Sequence, residues 1–209
     1  MTSYVFGYGS LLERASRTRT NPEAVGAWPA RVTGYQRGWF HQFADNVGST
    51  CTYLGAERAN RQTINGVVYP VSDIEATKQR ETGYTAVQLA ADDFVMLDGS
   101  GPLKVGGDVD VYIFVSNPES ISKTKEPTPT FPMVQSYVDI CINGCLELES
   151  LYRGVKGSFT QERELGQRPD LSSPPVHLRA QCERHRQGSE GGKCVAVRPA
   201  SRSEVRRVV

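Results

Sequence analysis

Tyr4-Val5-Phe6 is an aromatic and β-branched run that breaks into Gly7-Tyr8-Gly9-Ser10-Leu11 before any charged side chain appears. Such a run reads as a buried strand starting almost at the N-terminus. Its two glycines can take backbone angles that other residues avoid, so successive N–H groups can face one concave space suited to a carboxylate or phosphate oxygen. A plain strand-to-loop turn accounts for the same glycines, and Gly-x-Gly alone does not separate the two. A dinucleotide site fails on spacing, because no third glycine follows and no helix opens at once.

The 209 residues suffice for one substantial domain with an appendage. A net charge of +1 gives no electrostatic case for a nucleic-acid or membrane partner. No apolar run approaches the roughly 20 residues that span a bilayer, and no signal-type core follows the start, so a cytoplasmic location is expected. The cysteines Cys51, Cys141, Cys145, Cys182 and Cys194 are odd in number and lack paired short spacings. That pattern argues against a disulfide framework and a zinc site. Cys141 and Cys145 read as small buried apolar residues of a helix face, with redox or metal roles as the alternative. His41 and His185 have no metal or triad partner and read as packing or surface residues. No metal and no cofactor is expected.

Strand signals recur at residues 31–40, bent at Gly38, then at 49–54 and 64–69. Asn65-Gly66 reads as a turn or bulge, and Pro70 closes the last of these strands. Ser72 or Asp73 can cap a short helix within 71–80, with Ile74 facing inward. Strands follow at 85–89 and 109–115, with Tyr112 opposite the valines, and turns are expected at 98–102 and 106–107. Beyond the Pro-rich 126–132 connector, Val134, Tyr137, Val138, Cys141, Ile142, Cys145 and Leu146 recur at helical steps to about Ser150. The whole is an α+β or closed-sheet pattern. From Arg163 onward ten Lys/Arg stand against five Asp/Glu, and no aromatic residue follows Phe159. Residues 161–209 therefore read as a basic, disordered tail after a 1–160 domain.

Arg80-Glu81-Thr82-Gly83-Tyr84 supplies a second motif, a carboxylate at an element end before a turn glycine and an aromatic residue. By itself Glu81 reads as a solvated loop glutamate. In order, the chain presents Phe-Gly-Tyr-Gly-Ser-Leu, Glu-x-Gly-Tyr, a strand tyrosine, a Pro-rich connector and the helix Gln-Ser-Tyr-Val-Asp-Ile-Cys-Ile-Asn-Gly-Cys. Over roughly residues 3–155 this resembles the gamma-glutamylcyclotransferase-like superfamily, with its ChaC-type and AIG2-like members.

The resemblance implies a small mixed β-barrel flanked by helices. It implies that Glu81 is the catalytic glutamate and that Tyr8, Gly9, Ser10 and Leu11 hold the substrate's α-carboxylate through main-chain N–H groups. Tyr112 and Tyr137 look like the family's two cavity tyrosines, and Asn143-Gly144 like its Gly-containing turn of the C-terminal helix. The implied reaction converts the γ-glutamyl group of a small γ-glutamyl compound, glutathione included, to 5-oxoproline and releases an amine or amino acid without a cofactor. The alternative is an AIG2-like small-ligand binder with little or no turnover. Substrates of this kind share the γ-glutamyl end and differ at the leaving side, where the 34–43 segment is expected to act.

Overall fold

The computed structural model describes residues 2–97 and 109–151. Six strands form one mixed sheet: β1 (Thr2–Gly7), β2 (Trp28–Ala44), β3 (Thr50–Val71), β4 (Tyr84–Gln88), β5 (Phe94–Met96) and β6 (Val109–Ser116). Their order is β4-β6-β1-β3-β2-β5, and among these described strands only the β1–β6 pair is parallel. Among the described residues three α-helices accompany the sheet: α1 (Arg14–Thr18), α2 (Ile74–Arg80) and α3 (Gln135–Leu151).

Side-chain alternation along the strands separates two cores. Phe6, Val32, Tyr35, Ala56, Ile64, Val68, Val111 and Ile113 form one, and among the described residues no helix contributes to it. A sheet face buried without a helix over it is buried against itself, as in the small barrel expected. Val5, Val67, Tyr69 and Phe114 point the other way and meet Leu11, Leu12, Cys145 and Leu148. The barrel is thus sealed on its outer side by α3 and by the turn that follows β1.

The two strands expected at 49–54 and 64–69 are instead parts of β3, which runs unbroken through the polar stretch between them. Tyr35 pairs with Arg58 and Thr33 with Thr63, so β3 carries extra residues at this shift, where Arg61 has φ 63°. A bulge absorbs residues that read as a loop. Asn65 and Gly66 lie in regular register opposite Arg31 and Ala30, so they form no turn. Pro70 pairs with Tyr4 beyond the last β2 partner, Val68, where a missing N–H costs no ladder bond on that side. The bend expected at Gly38 coincides with a register shift between Gly38 and His41.

Asn143-Gly144 forms part of one turn of α3, which is continuous through it. A Cβ on Gly144 would stand 2.5 Å from the Glu13 backbone nitrogen and 2.6 Å from the Leu12 Cβ. The glycine is there for close approach of α3 to the segment after β1. Gly144→Val should destabilise the fold by about 1–3 kcal/mol through overpacking, lowering Tm by roughly 3–10 °C. An unchanged melting curve would show that the contact is slack. On the same helix Cys141, Cys145 and Leu148 are buried, whereas Ile142 and Leu146 are exposed. The basic tail expected at 161–209, the 160/161 boundary, the turns expected at 98–102 and 106–107, and His185, Cys182 and Cys194 lie outside the described residues.

Candidate active site

β1 ends at Gly7, and the chain turns at once into a short 3-10 segment, Ser10–Leu12. Its first internal bond is Leu12 N–H to Gly9 O at 3.0 Å. The N–H groups of Ser10 and Leu11 precede that bond, which leaves them without a partner inside the turn. The Tyr8 carbonyl is drawn away by an Arg37 Nη1 donor at 2.9 Å. The Tyr8 side chain is buried and donates from its hydroxyl to Phe114 O at 2.6 Å.

Glu81 enters from the other side. Asp73 caps α2 by accepting the Glu75 N–H at 2.8 Å, and the helix ends with Glu81 as its C-terminal cap. The chain then reverses through Gly83, whose φ of +85° favours glycine, into β4 at Tyr84. Arg80 stays behind as a clamp. Its Nη1 donates to Ser16 O at 2.8 Å and Thr20 Oγ1 at 3.1 Å, its Nη2 to Ser16 Oγ at 2.9 Å, and its Nε lies 3.2 Å from Glu81 Oε1. The Glu81 side chain is only 16% exposed. Burial raises its pKa above the usual carboxylate range, opposed in part by the Arg80 guanidinium. A carboxylate held at one end and raised in proton affinity is equipped to take and return a proton.

The loop and Glu81 face a shared space. An inner chamber of about 20 Å³ is lined by Tyr8, Gly9, Ser10, Leu11, Glu81 and Tyr137, with Phe6, Leu54, Tyr84 and Phe114 completing its wall. Ser10, Glu81, Tyr84 and Tyr137 also line an outer chamber of about 310 Å³, together with Phe43, Tyr53, Arg80 and Thr82. The inner chamber admits a single small group such as a carboxylate, and a larger ligand must extend into the outer one.

Of the residues singled out from sequence, Tyr8, Gly9, Ser10, Leu11, Glu81 and Tyr137 converge here, and Tyr112 does not. Tyr112 sits on the strand face of Phe114, one pleat repeat earlier in β6, about 7 Å along. Its electrostatic neighbour is Lys78 of α2. Tyr84 and Tyr53 supply the further tyrosines of the site. Tyr84 donates to Leu54 O at 2.8 Å. Tyr53 packs on Tyr137 with ring centroids 4.6 Å apart.

Among solved structures, a gamma-glutamyl cyclotransferase superposes with a TM-score of 0.53 at 12% identity, covering 88% of this chain and 99% of its own. The chain has the gamma-glutamyl cyclotransferase fold. An uncharacterized human protein aligns at a TM-score of 0.49, 14% identity, 87% of this chain and 98% of its own. A yeast gamma-glutamyl cyclotransferase specific to glutathione aligns at 0.45, 13% identity, 74% of this chain and 90% of its own. No family model and no curated protein matches the sequence. At these identities the gamma-glutamyl cyclotransferase fold is what is shared, and the chemistry has to be argued from this chain's own residues. Among the described residues no helix is long and apolar enough to cross a membrane, and no cluster of three His, Cys, Asp or Glu could hold a metal ion.

Behind the cavity wall, His41 is fully buried and stacks on Tyr84 at 3.8 Å between centroids, with its Nδ1 3.1 Å from Ser116 Oγ. Burial pushes its pKa down to about 4. The unfolded chain binds the proton near pH 6.5 and the folded chain only near 4, so stability falls as pH drops through that window. His41→Phe keeps a ring against Tyr84 and removes the titration. Between pH 7 and 4.5 the wild type should lose about 2 kcal/mol more stability than this variant in urea titrations. Parallel losses would show that His41 does not carry the acid sensitivity.

Proposed function

We propose that this protein is a cyclotransferase that converts the γ-glutamyl group of a small γ-glutamyl compound to 5-oxoproline, with Glu81 as acid and base. The observation that carries the reading is a buried carboxylate of raised pKa sharing one small chamber with Gly9, Ser10 and Leu11, the residues that open the Ser10–Leu12 turn. The fold shared with a gamma-glutamyl cyclotransferase supports it.

The inner chamber takes the substrate's α-carboxylate, where the Ser10 and Leu11 N–H groups supply donors of the right charge. The γ-glutamyl chain folds back so that its amine approaches its own γ-carbonyl. Glu81 removes a proton from the α-ammonium, and the freed amine attacks the carbonyl carbon. Negative charge on the carbonyl oxygen falls to nearby N–H donors. As the C–N bond to the leaving amine breaks, protonated Glu81 returns its proton to that nitrogen, and the surplus proton on the ring nitrogen follows through the freed Glu81 carboxylate, so the amine leaves as an ammonium. The products are 5-oxoproline and a free amine, and Glu81 ends as it began.

Arg80 keeps the carboxylate in place, and Tyr84 and Tyr137 wall the site so that little water competes. The step calls on no redox or metal chemistry. The direct test is release of 5-oxoproline from γ-glutamyl compounds, which is set out below.

A further inference from the structure

From the lining of the outer chamber we infer that the leaving group is an aromatic amine without a carboxylate, such as an arylalkylamine. This inference rests on the cyclotransferase reading and specifies its substrate. With the α-carboxylate in a chamber of about 20 Å³ and the γ-carbonyl at Glu81, the leaving side has only the outer chamber to occupy. Phe43, Tyr53, Tyr84 and Tyr137 supply half of that chamber's lining residues. His41 stacks on one face of Tyr84, but Phe43, Tyr53 and Tyr137 are not stacked in parallel on one another. Phe43 and Tyr53 lie 6.0 Å apart at 40°, Tyr53 and Tyr137 4.6 Å apart at 54°, and Trp39 meets Tyr137 edge-on at 6.0 Å. Tilted rings at these distances accept a further ring edge-to-face.

The charges point the same way. Arg80 is the cation among the described lining residues, and Ser16, Thr20 and Glu81 already occupy it. A leaving group that carries its own carboxylate beside the scissile nitrogen would bring it towards Glu81 without the Ser10 and Leu11 N–H groups that receive the α-carboxylate in the inner chamber, and with no unengaged cation among the described residues of the outer lining. Like charges at short range in a partly desolvated site raise the barrier to binding. A γ-glutamyl amino acid has such a carboxylate, and a γ-glutamyl arylalkylamide does not.

The test measures 5-oxoproline release from γ-glutamyl-phenethylamide, γ-glutamyl-methylamide and γ-glutamyl-phenylalanine by the full chain. Expected is a kcat/KM for the phenethylamide at least about tenfold above each of the other two. Phe43→Ala should narrow the phenethylamide-to-methylamide ratio to about threefold or less, because the ring that favours one substrate has gone. Equal rates on phenethylamide and methylamide would overturn the aromatic subsite. Equal rates on phenethylamide and γ-glutamyl-phenylalanine would overturn the exclusion of carboxylates. No 5-oxoproline from any of the three, nor from glutathione, would defeat the cyclotransferase reading itself and this inference with it. Release from glutathione alone would overturn only the inference.

Discussion

Glu81→Gln should cut 5-oxoproline formation by about two to four orders of magnitude, the usual worth of a positioned acid and base. The substitution keeps the shape of the side chain and an oxygen that can accept from Arg80 Nε. The fold therefore has no reason to suffer, and the sign of the pKa shift makes that checkable. Burial raises the Glu81 pKa in the folded protein, so ionising the group there costs stability. The cost is absent at low pH and grows as pH rises through the folded-state value. The Gln variant should accordingly melt no lower than wild type at pH 8, and any advantage should vanish towards pH 4. Turnover within tenfold of wild type in a variant so folded would remove Glu81 from the chemistry.

Gly9→Val should leave the protein folded and weaken binding of a γ-glutamyl amide by about tenfold or more. A Cβ at position 9 would stand 3.0 Å from the Tyr137 hydroxyl, and the two γ-methyls would enter a chamber of only about 20 Å³. Overfilling a tight space commonly costs about 1–3 kcal/mol, and here the cost falls on the ligand that would share the space. Calorimetric titration of Glu81→Gln with the same amide supplies the reference, since that variant keeps the loop. If Gly9→Val binds as tightly as this reference, the segment after β1 is only a turn and the α-carboxylate is held elsewhere.

Much of this site is legible in the sequence because its parts lie at element ends. Gly7-Tyr8-Gly9 marks where a strand must stop, and Glu81-Thr82-Gly83 marks where a helix must reverse. The outer chamber is harder to see. Phe43 and Tyr53 come from neighbouring strands, and their proximity depends on a register, Phe43 opposite Cys51 and His41 opposite Tyr53, that follows a shift after Gly38. No local pattern announces a register beyond a bulge. The unbroken β3 escapes reading for a related reason, since its middle is as polar as a loop and is held by pairing with β2 on either side of the bulge. Gly144 reads from sequence as one residue of the C-terminal helix. Only the packed structure shows that it clears room for Leu12 and Glu13.

His41 illustrates the limit in the other direction. Sequence assigns it a packing or surface role for want of partners, and the structure buries it against Tyr84 and Ser116. It stiffens the wall of the chamber without reaching the chamber itself. Arg80 stands beside Glu81 in the sequence, yet its clamp depends on Ser16 and Thr20, some sixty residues earlier in the chain. Positioning of this kind is a property of the fold and has no spacing to betray it.

On the proposed mechanism the γ-glutamyl group cyclises rather than hydrolyses, and mass spectrometry of the products separates the two. Incubating the full chain with γ-glutamyl-phenethylamide in water enriched with oxygen-18 should give 5-oxoproline and phenethylamine in equal amounts, without added label, because the nucleophile is the substrate's own amine. Glutamate carrying oxygen-18 in its γ-carboxylate would mean that water attacks the carbonyl, and would overturn the cyclotransferase mechanism.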